Sequence, residues 1–129
     1  MSKITGLLID IESNEARIVT VEDTLQSYYH ILNCDLIDIQ TRFIGYETYT
    51  VVCDDEGLLK CKPIISAINY LDKPMFVGNL FVVKTDEDNN LTSLNDKDIE
   101  HLRSYFYMHE ALQHPVLHSV DYWRKEGPF

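Results

Sequence analysis

Five histidines, three cysteines and 21 acidic residues are the groups in this 129-residue chain that could hold a metal, move a proton or attack an electrophile. His109, His114 and His118 are separated by five and four positions with Pro115 between them, so one helical face cannot present all three. Zinc and iron motifs place ligands on a repeat that a single element can hold, and Glu110 is the only carboxylate between His109 and His118. The plain reading is half-buried or surface histidines, with no metal and no other cofactor. Asp54, Asp55 and Glu56 could bind a divalent cation or act as an acid and base pair. Three consecutive carboxylates at a turn point in different directions, however, and no EF-hand ligand pattern surrounds them. Cys53 with His30, or Cys61 with any histidine, could form a nucleophile and its base, but nothing in the spacing brings them together. The chain has no Gly-x-Gly-x-x-Gly, Walker loop, Gly-x-Ser-x-Gly or His-Glu-x-x-His, so no catalytic residue is assigned and no enzyme is expected.

Aromatic and basic residues offer a different chemistry. Eight tyrosines, five phenylalanines and one tryptophan are enough to build stacking walls as well as a core, and tyrosine combines an apolar ring with a hydrogen-bonding tip. Tyr105, Phe106 and Tyr107 are predicted to be consecutive on a helix, where they cannot all face inward. Tyr105, Tyr107 and Trp123 are therefore candidate stackers. Arg103, Arg124 and Lys60 are candidate cations for a phosphate, with Arg17 and Arg42 in reserve, and Asn79 is a candidate polar contact. The bland alternative is a thick core with ordinary surface tyrosines.

Eleven basic against 21 acidic residues give a formal net charge of -10. That argues against direct nucleic-acid binding, which needs a basic face. A lone monomer of this charge also repels anionic ligands, so a phosphate-binding pocket would suit a homo-oligomer sharing residues between subunits. Forty-five per cent hydrophobic and 25% charged residues describe a globular domain, and residues 1–129 are read as one. No apolar run reaches the roughly 18 residues of a membrane helix, and Asp10 interrupts the N-terminal apolar stretch. With three thiols that cannot all pair, a reduced, cytoplasmic protein with no membrane partner is expected.

Hydrophobic patterning supplies the elements. Ile4–Ile11 and Ala16–Val21 read as a hairpin about Ser13 and Asn14, and Asp23 or Thr24 caps a short helix that stops at Asn33. Leu36–Ile44 and Thr48–Cys53 read as strands about a turn at Gly45. Ile64–Leu71 reads as one or two helical turns. Met75–Lys84 reads as a single strand in which Gly78 and Asn79 mark a bulge or close backbone approach. Asn95 or Asp96 caps a longer helix carrying Ile99, Leu102, Phe106, His109 and Leu112, ended by Pro115. The result is an α+β domain with a mainly antiparallel sheet of about five to six strands, a short helix in the N-terminal half and a longer C-terminal helix, with residues 1–84 sheet-rich and 95–129 helical.

Tyr28-Tyr29-x-x-Leu32-Asn33-Cys34-Asp35, Asp54-Asp55-Glu56-Gly57-Leu58-Leu59-Lys60, Pro63-x-x-Ser66-Ala67-Ile68 and Val77-Gly78-Asn79-Leu80-Phe81-Val82 together resemble an uncharacterised small-domain family of phages, plasmids and integrative elements, domain of unknown function 3846. The resemblance spans Ile4–Val83 and implies a cytoplasmic accessory protein of a mobile element, a setting in which small proteins often antagonise host defence. Three modes suit such a role. The first is a non-enzymatic binder that sequesters a small nucleotide-type signal through stacking aromatics and a few cations. The second is an acidic DNA mimic or protein-binding inhibitor of a host defence enzyme of antirestriction type, although the carboxylates here are interleaved with basic residues rather than massed on one side. The third is a nucleotide-hydrolysing enzyme built on the acidic trio.

Overall fold

In the computed structural model, which describes residues 2–57 and 64–122, the chain forms eleven strands and two helices. They are β1 (Lys3–Asp10), β2 (Glu15–Glu22), α1 (Leu25–Leu32), β3 (Ile37–Ile44), β4 (Glu47–Asp54), β5 (Ile65–Ile68), β6 (Pro74–Val77), β7 (Leu80–Thr85), β8 (Leu91–Thr92), α2 (Asp96–Ser104), β9 (Phe106–His109), β10 (His114–Leu117) and β11 (Val120–Tyr122). The class is α+β and the pairing is mainly antiparallel, but the strands outnumber the five or six expected and divide into two sheets. The large sheet runs β11-β3-β4-β7-β1-β2, with β8 paired to β7; the small one runs β6-β5-β10-β9. Only β10 with β5 is parallel among the described pairs.

Local chemistry accounts for the first half. The β1–β2 hairpin closes through Asn14 at φ 57°, and α1 ends on Asn33 at φ 53°, left-handed positions that asparagine tolerates. Thr24 caps α1 by accepting from Ser27 N at 3.2 Å, worth about 1 kcal/mol. One face of the large sheet packs Leu8, Val52, Phe81 and Val83 against Tyr28 and Leu32 of α1. Its opposite face packs Leu7, Tyr49, Val51, Leu80 and Val82 against Ala67, Phe76 and Leu117 of the small sheet and Leu102 of α2. Core burial on both faces matches the apolar runs Val51–Cys53 of β4 and Leu80–Val83 of β7.

The second half departs from the sequence reading in three places. Ile65–Ile68 is a strand, not a helical turn. The single strand expected over Met75–Lys84 breaks at Gly78, φ 78°, and its two halves lie in different sheets. A Cβ at Gly78 would touch nothing within 4 Å, so the glycine is there for its backbone angle and not for a close approach. The C-terminal helix starts as expected, with Asn95 and Asp98 forming a reciprocal capping box, but stops at Ser104. Phe106–His109 then pairs with His114–Leu117. The helical spacing from Ile99 to Leu112 is overridden because Phe106 and Leu117 fill the core between the sheets. Tyr105, Phe106 and Tyr107 are consequently not on a helix. Pro115, expected to end one, sits within β10; it brings no N–H to the ladder, and the adjacent His114 ring reaches Ile65 O at 2.8 Å. No helix among the described residues is long and apolar enough to cross a membrane.

Candidate functional site

The two-residue turn between β3 and β4 places a large aromatic residue in a left-handed conformation. Ile44 pairs directly with Glu47, and both residues between them take positive φ, Gly45 at 57° and Tyr46 at 72°. This is the type I′ geometry, whose twist suits a hairpin and whose two positions favour asparagine, aspartate and glycine. Glycine at the first position is required twice over. The backbone is left-handed, and a Cβ there would overlap the Tyr105 ring. Tyrosine at the second position is anomalous, since a bulky residue in this region is strained by about 1–2 kcal/mol. Its ring does not offset that strain by packing, for Tyr46 is 97% exposed.

Tyr46 lines a cleft of about 410 Å³ together with Phe43, Gly45, Tyr70, Ser119 and Asp121. Phe43 and Asp121 face each other across the β3–β11 ladder, and cross-strand partners project from the same side of a sheet. The link into β11 is held against the turn by Gly45 N donating to Ser119 O at 3.2 Å. Tyr70, 74% exposed, comes from the turn after β5. That turn is braced by Asn69 Oδ1, which accepts from Leu71 N at 2.8 Å and Lys73 N at 3.0 Å. The cleft thus combines three aromatic rings, the three hydroxyls of Tyr46, Tyr70 and Ser119, and one carboxylate. Its volume falls within the range of small-molecule sites. Asp121 Oδ1 accepts from Tyr122 N at 2.8 Å, which leaves a carboxylate, with its four lone-pair directions, further capacity to accept.

The residues singled out from sequence are dispersed. Tyr105 packs beneath Gly45 and beside His101, ring centres 5.1 Å apart, so it supports the cleft from behind without lining it. Tyr107 lies on β9, stacked on His118 with ring centres 3.6 Å apart. Arg103 is exposed on α2. Asn79 accepts from Ile11 N at 3.1 Å, tying the start of β7 to the end of β1. Lys60, Trp123 and Arg124 lie outside the described residues, as does Cys61. Of the reserve cations, Arg17 pairs with Asp10 at 2.9 Å, and Arg42 is held between the rings of Phe76 and Tyr122. No cation lines the Tyr46 cleft among the described residues.

The other reactive groups are engaged structurally. Asp98 completes the α2 capping box and pairs with Lys84 at 3.0 Å. His118 Nδ1 donates to Val116 O at 3.1 Å, and its burial lowers the ring's pKa against the opposing pull of the Tyr105 and Val116 carbonyls. Burial, reinforced by Asp38, pushes the Cys53 thiol up to about 12, which withholds the thiolate a nucleophile needs. Asp54 and Asp55 line one acidic cleft with Asp38, while Asp54 and Glu56 line another with His30 and Cys34. Gly57, at the end of this turn, takes no positive φ; a Cβ there would come within 3.0 Å of Val77 Cγ2. No three His, Cys, Asp or Glu side chains converge as a metal-ligand set among the described residues.

Sequence reasoning missed Phe43, Tyr46, Tyr70 and Asp121. The available signal was Gly45-Tyr46: a turn glycine followed by a large aromatic where Asn, Asp or Gly is usual. No curated protein and no solved structure matches the chain. The model of one family, described as Domain of unknown function (DUF3846), matches residues 4–107 and so runs past Val83 through α2 into β9. The chain is a member of that family.

Proposed function

We propose that this protein is a non-enzymatic binding module that takes up a small nucleotide-type ligand, base first, in the cleft shared by Tyr46 and Tyr70. In this reading it acts as an accessory protein of a phage or other mobile element that counters host defence by sequestering such a signal. The observation that carries the proposal is Tyr46: a fully exposed ring held in a strained left-handed turn beside Phe43, Tyr70 and Asp121. Strain of this kind persists where surrounding structure enforces it and clusters at ligand sites. Aromatic walls hold a flat base through stacking worth about 1–3 kcal/mol per base, and the acceptors set its orientation. The groups that line the cleft are aromatic rings, hydroxyls and a carboxylate, which suit the base of such a ligand. Thermal-shift and calorimetric titration against nucleosides, linear and cyclic nucleotides tests the reading. At about 100 times its dissociation constant a ligand adds roughly 2.7 kcal/mol, and a tenfold weakening by Tyr46→Ala at the same concentration cuts this to about 1.4 kcal/mol. Failure of the whole panel to bind removes the proposal.

The second reading, an acidic inhibitor of a host defence enzyme, draws on the carboxylates Asp38, Asp54 and Asp55 around one cleft and Asp35, Asp54 and Glu56 around its neighbour. Low-salt pulldown of a restriction enzyme that is lost on charge reversal at Asp55 and Glu56 would favour it over the first.

A further inference from the structure

We infer that the cleft selects guanine over the other bases, an inference that rests on the nucleotide-type reading above. The argument lies in which hydrogen-bonding group stands among the rings. Phe43, Tyr46 and Tyr70 offer apolar faces to any flat heterocycle and cannot discriminate between bases. The hydrogen-bonding side chains on the cleft are the Asp121 carboxylate and the hydroxyls of Ser119, Tyr46 and Tyr70. An ionised carboxylate only accepts, and it accepts best from two parallel N–H groups. Guanine presents such a pair, N1–H and N2–H, on its Watson–Crick edge. Adenine and cytosine each place a ring nitrogen lone pair beside their amino group, which would oppose a carboxylate oxygen. Uracil flanks its single N–H with two carbonyl oxygens. Each of the three hydroxyls can turn to donate or accept and so rejects none of them, leaving selection to Asp121.

The position of Asp121 supports this role. It stands opposite Phe43 on adjacent strands, so the carboxylate and the aromatic platform project from the same side of the sheet. Its backbone is fixed by strand pairing, and Oδ1 is oriented by Tyr122 N at 2.8 Å. A base stacked on Phe43 between Tyr46 and Tyr70 would turn its edge toward a carboxylate held in place before the ligand arrives.

Calorimetric titration with guanosine, inosine, adenosine, cytidine and uridine, on the wild-type chain and on Asp121→Asn, Tyr46→Ala and Tyr70→Ala, tests the inference. Asparagine retains an oxygen for Tyr122 N but offers an N–H to the guanine edge, so folding is preserved while the pairing is lost; circular dichroism and the melting temperature verify this. Guanosine is expected to bind at least about tenfold tighter than the other three common nucleosides, in line with about 1–3 kcal/mol for a bidentate base contact. Inosine, which lacks N2–H, is expected to fall between. Asp121→Asn is expected to remove the preference, and either tyrosine variant to weaken all nucleosides together. Equal binding of all nucleosides, or a guanosine preference that survives in a folded Asp121→Asn, overturns the selectivity while leaving base binding intact. No binding of any nucleoside overturns both. Arginine amide also offers paired donors and a flat stacking face; if it binds and guanosine does not, the site is for a guanidinium and both readings fail.

Discussion

Replacing Tyr46 by glycine should make the protein more stable and less able to bind, an opposite pairing that separates a functional ring from a structural one. The side chain is 97% exposed, so removing it forfeits almost no buried surface. At φ 72° a non-glycine residue is strained by about 1–2 kcal/mol, and glycine removes that strain. Against it stands the greater freedom of glycine in the unfolded chain, about 0.4–1 kcal/mol. The balance is a gain of about 0.5–1 kcal/mol, or a rise of about 2–5 °C in melting temperature for a domain of this size. Tyr46→Ala is the control. It keeps the Cβ and therefore the strain, so its stability should stay within about 0.5 kcal/mol of wild type. Both variants lose the stacking ring, and nucleoside affinity should fall at least about tenfold in each. Urea denaturation beside calorimetry reads the two effects on the same samples. Destabilisation of Tyr46→Gly by more than about 1 kcal/mol would mean that the ring supports the fold, and undiminished binding would mean that the cleft is not the site. Either result refutes the reasoning.

Three further outcomes follow from the same geometry. Gly45→Ala meets both the left-handed backbone and the Tyr105 ring, so it should lose about 2–4 kcal/mol, and Gly45→Ala combined with Tyr105→Leu should recover part of that loss in a double-mutant cycle. His118 has its pKa lowered chiefly by burial, so its neutral form belongs to the folded state. Its contribution to stability is present above the unperturbed value of about 6.5 and is lost as pH falls through the lower folded value. The urea midpoint of wild type should therefore drop more steeply below pH 6.5 than that of His118→Asn, and parallel curves would contradict the assignment. Cys53, with its thiol pushed up to about 12, should react with iodoacetamide at pH 8 only as the chain unfolds; rapid labelling of the native protein would show an accessible thiolate instead.

Features governed by neighbours in sequence were legible. Asn14 lies in the expected hairpin turn and Asn33 takes the left-handed position at the end of α1, Thr24 and Asn95 cap the two helices, and the β3–β4 hairpin turns at Gly45. What escaped was decided at long range. The apolar run on either side of Gly78 is suited to a strand throughout, and nothing local reveals that its halves serve different sheets. The stretch from Ile99 to Leu112 has helical spacing to its end. The helix stops at Ser104 because Phe106 is more deeply used opposite Leu117, beneath the large sheet. The candidate site was hidden for the same reason, since its lining comes from β3, the turn after β5 and β11, which meet only after the small sheet has formed.

Tyr105, a candidate stacker on its sequence context, takes a packing position in the fold. A run of three aromatics near a helix end invited a stacking function. In the fold, Tyr105 follows the last residue of α2 and fills the space that the missing side chain of Gly45 leaves open. That contact couples α2 to the β3–β4 turn, while Gly45 N couples the same turn to Ser119 and hence to the start of β11. Tyr46 and Asp121 are therefore positioned by one small assembly whose parts come from three distant stretches of chain. A left-handed tyrosine could relax if its turn were free to move. Here the buttress behind it and the hydrogen bond beside it hold the turn in shape, so a ligand of the class proposed would meet a backbone already ordered, and the ordering entropy of the turn would not have to be met on binding.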